Sequence, residues 1–478
     1  MIADFKPYPE YPEYKELGLP WLGPVPKHWD VRQARHIGRL FKGVGGTKED
    51  SIPVGVACVR YGELYTTHTD VIRASKAFVS AEHAARYTPI QYGDVLFAAS
   101  GETIEDIGKS AVNLMRTAAV CGGDIIVLRP SIPVHAPFLG YAMDCRPATN
   151  QKAIMGRGTT VKHIYPDELK NLTIPLPPPN EQEAIVRFIH YVDQRVNRLI
   201  KAKRRLIEVL NEQKQAIIAA ASDSQHVTRA LTDVWQIGHL GRVGNGSTPS
   251  RGKPDYWSSE MEAGYPWLNS ANVNQGIIES SDQFVTELAL RECHLPKVPD
   301  GSVLVAITGQ GKTRGTAAIL KIKATINQHL AYITPRQDLV STEYLYLALT
   351  AAYQNLREVS EASGSTKGAL TCGDLKRFKI GLPQREQQDR IVAQVRGQTE
   401  GVDSTKRKAQ REIALIREYR TRLVSDVVTG QLDVRGLHLP DAGEEAPEVS
   451  LADEAGDLDD EVIADLTSDE QGEGEEAL

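Results

Sequence analysis

The sequence predicts a mixed α/β (α+β) protein: two globular domains separated by a pair of long helices packed as an antiparallel coiled coil, written as a pseudo-two-fold repeat. Three observations predict this. Segments of the first half return in order in the second about 206 residues later. Each copy closes on a Pro-containing edge that runs into a long apolar stripe at helical spacing. Between the stripes, short strand-like runs mix with helical patterns.

Length and charge set the outer bounds. A chain of 478 residues, 41% hydrophobic and 24% charged, can bury more than one core. No window approaches the run of about 18 apolar residues that a membrane span needs, and the opening MIADFKPYPEYPEY lacks a basic and apolar leader pattern. A cytoplasmic protein with no membrane partner is therefore expected. The five cysteines, Cys58, Cys121, Cys145, Cys293 and Cys372, lie far apart without zinc spacing and read as reduced, buried thiols. The net charge of −7 hides an asymmetry: Asp441 to Leu478 holds 16 acidic residues and no Lys or Arg. The body that remains carries 55 basic and 46 acidic residues, a net +9 that suits a polyanionic partner. The tail is expected to be a solvated, disordered segment, with a phosphate mimic as the sharper reading.

The repeat then orders the elements. GDVLFAASG from Gly93 returns as GSVLVAITG from Gly301, each a buried strand entering a polar, Gly-containing turn. Gly158-Thr159-Thr160 returns as Gly364-Ser365-Thr366, and ELKNLTIPLP from Glu168 returns as DLKRFKIGLP from Asp374. Glu181-Gln182 follows the first of these edges and Glu386-Gln387 the second. The first stripe is Ile189, Val192, Val196, Leu199, Leu206, Leu210 and Ile217, at alternating three- and four-residue steps, with Lys203 and Gln213 as the polar positions. The second is noisier: Ile391, Val395, Val402, Ile413, Ile416, Leu423 and Val427, with Gly430 as its C-cap. Neither helix can bury its stripe alone, so the two are expected to pair. The domain reading is 1–175, a first helix at 176–222, a second domain at 223–380, a second helix at 381–430 and the tail at 431–478.

Several of these segments carry a family resemblance. Trp21-Leu22-Gly23-Pro24-Val25-Pro26-Lys27-His28-Trp29, the NLTIPLPPPNEQ stretch from Asn171, the helix ending KQAIIAAA, Gly246-Ser247-Thr248-Pro249-Ser250 with Tyr256-Trp257, and Val427-Val428-Thr429-Gly430 resemble type I restriction-modification specificity subunits. The match runs from Trp21 to Arg435. It departs where Leu382-Pro383-Gln384-Arg385 stands against Leu176, three prolines and Asn180. The resemblance implies that each domain is a target-recognition domain for half of a bipartite double-stranded DNA site. It implies that the helices are a spacer and a docking platform. It places adenine methylation on two modification (methyltransferase) subunits, and translocation and cleavage on restriction subunits. No cofactor is then expected in this chain; S-adenosylmethionine, ATP and Mg belong to the partners. A helix of about 37 residues would span roughly 55 Å and act as a ruler.

Three motifs point elsewhere. Ala306-Ile307-Thr308-Gly309-Gln310-Gly311-Lys312-Thr313 fits a relaxed P-loop, but strand-like Ala317-Ala318-Ile319-Leu320 follows where a phosphate-binding helix must begin. Phe41-Lys42-Gly43-Val44-Gly45 has the glycines of a methyltransferase loop without its acidic partner, and no Asn- or Asp-Pro-Pro-aromatic clamp occurs. Pro166-Asp167-Glu168-Leu169-Lys170 has the letters of a nuclease metal site, yet its parts are contiguous and read as the turn that opens a helix. A self-sufficient methyltransferase or ATPase is one rival reading. A coiled-coil scaffold that binds only protein is the other. No catalytic or metal-binding residue is expected.

The polar loops become the candidate DNA contacts. In the first domain they are Arg60, Tyr61, Ser100, Lys109, Arg157, Thr159, Thr160 and Lys162. In the second they are Asn269, Asn272, Thr308, Gln310, Lys312, Thr313, Arg314, Ser365, Thr366 and Lys367. Arg suits guanine, and Asn or Gln suits adenine, because each makes two parallel hydrogen bonds to one base edge.

Overall fold

The structure is a computed structural model that describes residues 8–46, 50–101, 107–157, 162–223, 233–258, 264–309, 313–362, 368–437 and 439. The chain divides into two compact units. Among the described residues, the first draws on 8–203 and 411–439, the second on 204–410.

The first unit is built on a five-stranded sheet of β1 (Gly38–Lys42), β2 (Asp70–Ile72), β3 (Val95–Ala98), β4 (Ser110–Asn113) and β5 (Ile125–Pro130), in the order β1-β5-β3-β4-β2. β3 runs antiparallel to β4 and β5, β5 antiparallel to β1, and β4 parallel to β2. The second unit repeats this with β6 (Gly241–Asn245), β7 (Ile277–Ile278), β8 (Val303–Ala306), β9 (Ala317–Leu320) and β10 (Leu330–Pro335), ordered β6-β10-β8-β9-β7. Every pairing has the same sense as its counterpart. The repeat in the sequence is thus a repeat of topology.

The central strands show why these residues fold this way. All four side chains of β3, and all four of β8, are fully buried. Alternate side chains leave a strand on opposite faces. Val95 and Phe97 enter a core shared with helices, whereas Leu96 and Ala98 pack against Val59, Ile90 and Cys121 of a second sheet. Val303 and Val305 divide from Leu304 and Ala306 in the same way. Each Val, Leu or Phe among them stabilises its unit by about 1.5–3 kcal/mol when fully buried, which is why a run with no polar residue sits at the centre of three layers. Gly93 and Gly301 turn the chain into these strands with φ of 89° and 78°, a conformation that disfavours any side chain.

Helices cover one face of each sheet. In the first unit, α1 (Ala136–Asp144) lies so close to it that a Cβ on Gly140 would stand 2.4 Å from the Asp70 carbonyl oxygen. α2 (Arg146–Met155) follows, and then the long α3 (Pro179–Asp223). In the second unit α4 (Thr342–Ala351) covers the sheet; α5 (Arg385–Val428) is the second long helix, and each long helix begins in one unit and ends in the other. The Pro-containing edges are strands: Thr173–Leu176 pairs with Asp30–Gln33, and Lys379–Leu382 pairs with Asp233–Gln236, both antiparallel.

The start of each long helix is locked by one buried amide. Gln182 donates to the Pro177 carbonyl at 2.8 Å and accepts from the His135 backbone N–H at 2.8 Å. Gln388 donates to the Pro383 and Leu339 carbonyls, each at 2.9 Å, and accepts from the Ser341 backbone N–H at 2.9 Å. The equivalent glutamines are therefore Gln182 and Gln388, one residue beyond the pairing that the Glu-Gln dipeptides suggest. Stranding such a buried group costs about 1–3 kcal/mol, which explains a glutamine at both places. Glu181 has its own role. It accepts from Trp29 Nε1 at 2.9 Å and Tyr11 Oη at 3.2 Å, which ties the fully buried Trp29 to the first turn of α3.

The helices run antiparallel within each unit. In the first, Lys203 pairs with Glu412 at 2.6 Å and Asp193 with Arg420 at 2.9 Å; in the second, Lys214 pairs with Asp403 at 2.7 Å. The seam contains Ile189, Val192, Val196 and Leu210 on α3, with Leu423 and Val427 buried and Ile413 and Ile416 half-buried on α5. Two expected members are corrected: Leu199 and Leu206 are exposed, and Ile200 is fully buried instead. After Val196 the stripe advances four residues rather than three, because a 3.6-residue helix drifts against a strict heptad. The same drift leaves Ile217 half-buried beside a fully buried Ile218. The helices have 45 and 44 residues, longer than the apolar stripe alone suggests. Gly430, with φ of 78°, follows the end of α5.

All five cysteines are free; Cys58, Cys121 and Cys145 are buried, whereas Cys293 and Cys372 are only half-buried. Among the described residues, no helix is long and apolar enough to cross a membrane, and no group of His, Cys, Asp or Glu could hold a metal ion.

Candidate nucleic-acid interface

In the first unit, the chain beyond β3 gathers several candidates. Ser100–Gly101 pairs with Lys162–His163, so Ser100 stands opposite His163 and Gly101 opposite Lys162. Ser100 Oγ lies 3.0 Å from His163 Nδ1, and the Ser100 carbonyl accepts from Tyr65 Oη at 2.7 Å. Tyr65 belongs to the short helix Tyr61–Thr66, which brings Arg60 and an exposed Tyr61 to the same end of the sheet. Arg60 donates to Ser51 Oγ at 2.9 Å. Arg157 shares two backbone hydrogen bonds with His163 and projects an exposed guanidinium, 2.9 Å from Glu168. Thr159 and Thr160 lie outside the described residues.

Lys109 is placed differently. Its ammonium donates to Asp144 Oδ2 at 2.5 Å, and Asp144 also accepts from Lys152 at 2.9 Å and from the Ser110 backbone at 3.1 Å. Lys152 is fully buried and donates further to the Gly108 and Met143 carbonyls. Lys109 therefore closes an internal charge cluster, because a buried carboxylate and ammonium must be paired. Burial pushes the Asp144 carboxyl up, but Lys152 and Lys109 outweigh it and hold the group below its ordinary value. A carboxyl lowered in the folded state adds stability above its unfolded value, near pH 3.9, and loses that contribution as pH falls toward the folded value. The urea midpoint of the wild-type chain should therefore fall steeply below about pH 4, and D144N should flatten that part of the profile. An unchanged slope in D144N would remove Asp144 from the acid response.

In the second unit, Asn269 and Asn272 form a reciprocal cap on the 3₁₀ turn Ser270–Gln275. Asn269 Oδ1 accepts from the Ala271 N–H at 3.0 Å, and Asn272 Oδ1 accepts from the Asn269 N–H at 2.9 Å. Their carbonyl oxygens serve the turn, which holds both side chains in place. Thr308 Oγ1 lies 2.6 Å from His329 Nδ1. Thr313 is buried, and so is Arg314, which donates to the Gly368 carbonyl at 2.8 Å and pairs with Glu361 at 3.2 Å. Both are corrected from surface contacts to internal positions. Gln310, Lys312, Ser365, Thr366 and Lys367 lie outside the described residues. The P-loop-like segment joins antiparallel β8 and β9, not a strand to a helix.

Sequence reasoning missed three groups here. His163 and His329 lie in no repeated motif, since 206 residues beyond His163 stands Ala369. Arg251 stacks 3.8 Å over Trp257, which packs edge-on against Trp267 with centroids 5.1 Å apart. The interleaving of Arg251 and Lys253 with Tyr256, Trp257 and Trp267 is a signal that could have found this platform.

Fold and loops together define a duplicated binding protein: one α/β domain used twice, each copy presenting a hydroxyl paired with an imidazole beyond the end of a buried sheet. A family model described as "Type I restriction modification DNA specificity domain" matches residues 69–209 and 227–411. The chain belongs to this family. It is 23% identical over 432 residues to the putative type I restriction enzyme MjaX specificity subunit of Methanocaldococcus jannaschii, covering 87% of this chain and 96% of the relative. It is 21% identical over 435 residues to the type I restriction enzyme EcoKI specificity subunit of Escherichia coli K12, covering 86% and 90%. A solved structure described as "Structural basis underlying complex assembly and conformational transition of the type I R-M system" shares the fold with a TM-score of 0.51 and 19% identity, over 85% of this chain and 99% of that one.

Proposed function

We propose that this chain is the sequence-reading subunit of a type I restriction-modification complex, with each domain recognising one half of a split double-stranded DNA site. The observation that carries this reading is the double match of the specificity-domain family to two units with the same strand order and pairing senses. The recognition domains are assigned to residues 1–175 and 223–380, and the paired helices to a spacer that sets the gap between half-sites. Two modification subunits dock on the helices and methylate adenine, and restriction subunits join them to translocate and cut. Apolar side chains left exposed on the helices support docking: Leu199, Leu415 and Tyr419 in the first unit, Leu206 and Val209 in the second. The chain itself is non-catalytic. S-adenosylmethionine, ATP and Mg act on the partners, and the DNA substrate places the complex in the cytoplasm.

Mapping methylated adenines in cells that carry this chain and its modification partner tests the reading. A split motif that disappears with the gene is expected. Methyl transfer by the purified chain alone, or an unchanged methylation pattern after deletion, would reverse the assignment.

A further inference from the structure

Resting on the DNA-reading function above, we propose that Thr308 donates its hydroxyl hydrogen to an acceptor on DNA, turned outward by His329, Gln328 and Thr248. Hydrogen-bond chemistry around it fixes the direction. Gln328 places its amide nitrogen 3.2 Å from His329 Nε2 and its carbonyl oxygen against Thr248 Oγ1. An amide nitrogen only donates and an amide oxygen only accepts. The Thr248 hydroxyl therefore donates to Gln328, and Gln328 donates to His329 Nε2.

A ring nitrogen that accepts carries no proton, so His329 is the neutral tautomer with its hydrogen on Nδ1. That hydrogen is donated to Thr308 Oγ1 across 2.6 Å. Thr308 must then send its own hydroxyl hydrogen elsewhere, and no acceptor among the described residues takes it. The group is half-buried at the end of β8, beside the exposed Gly309.

The backbone holds the relay in place. The His329 carbonyl accepts from the Ile307 N–H at 2.9 Å, and the His329 N–H donates to the buried Asn327 Oδ1 at 3.1 Å. The first unit makes the same kind of pair from unrelated residues. Ser100 and Thr308 correspond in the repeat, 208 residues apart, yet their imidazoles come from different elements, His163 and His329. Inherited symmetry does not explain two independent imidazoles against one equivalent hydroxyl. A shared demand on that hydroxyl does. The acceptors it fits are purine N7, guanine O6, thymine O4 and phosphate oxygen.

The test uses the full chain co-expressed with its modification subunits. Wild-type methylation mapping first defines the split site; its absence would defeat the DNA-reading function and not this inference. T308V, T308S and H329L complexes are then compared on the cognate duplex and on single-base-pair variants of the second half-site. T308V should bind about 5- to 150-fold more weakly and T308S near wild type. Loss of discrimination at one base pair identifies a base edge, and uniform weakening on every sequence identifies a phosphate. H329L should affect the same base pair or the same uniform term, and T308V/H329L should be no weaker than T308V, which a general packing defect would not produce. Wild-type binding by T308V, or fully additive losses at different positions, would overturn the proposal.

Discussion

Replacing residues 21–175 with the corresponding segment of another family member is expected to change one half of the methylated site and leave the other half intact. The first unit draws its sheet, its second sheet and the polar loops beyond them from this stretch. The second unit has separate cores built around Ile237, Val303 and Leu345 and around Leu268, Leu304 and Ile326. The graft must satisfy what remains behind. A donor segment needs a partner for Glu181, supplied here by Trp29 and His28, and a carboxylate for Arg420, supplied here by Asp70. Long-read methylation mapping of the hybrid checks the result. Change in both halves would contradict modular reading by the two units.

Arg420→Met is expected to destabilise the first unit by about 3–5 kcal/mol, because it leaves the buried Asp70 carboxylate and the half-buried Asp193 without a counter-charge. Arg420 lies buried between the two long helices, and its guanidinium donates to Asp70 at 2.9 Å and to both oxygens of Asp193 at 2.9 and 3.1 Å. Burial pushes the Asp70 carboxyl above its ordinary value, and Arg420 works against that push. Asp70 also takes a left-handed backbone with φ of 63° at the start of β2, so the ion pair clamps a sheet edge, α3 and α5 together. Hydrogen exchange should show protection lost first in the first unit. The triple variant R420M/D70N/D193N should recover much of the loss, because neutral amides do not require a buried cation. If R420M unfolded like the wild type, the clamp would carry no stability.

Much of the architecture was legible in one dimension. Buried four-residue strands, a Gly before each, and a Pro-containing edge before each long stripe recur at one spacing, and each feature follows from a local rule of burial or backbone geometry. The stripe also showed its limit. Leu199 and Ile200 are adjacent apolar residues, as are Leu206 and Ile207, and periodicity cannot choose between neighbours when a 3.6-residue helix drifts against a heptad. The choice falls to the partner helix, which buries Ile200 and leaves Leu199 out.

The candidate contacts divide along the same line. Loop position and side-chain chemistry found Ser100, Arg157 and Thr308, which the fold keeps at the ends of its sheets. The same criteria picked Lys109 and Arg314, whose charges are taken up by Asp144 and Glu361, residues 35 and 47 positions away. Which cation faces solvent depends on where a distant carboxylate lands, and that distance is set only when the chain folds. The histidines illustrate the other half of the problem. By itself the sequence determined a duplicated α/β protein with two long helices and a family for it, since those rest on patterns repeated along the chain. Only the tertiary structure decided that His163 and His329, unrelated in the repeat, meet equivalent hydroxyls, because contacts between side chains far apart in sequence leave no periodic trace.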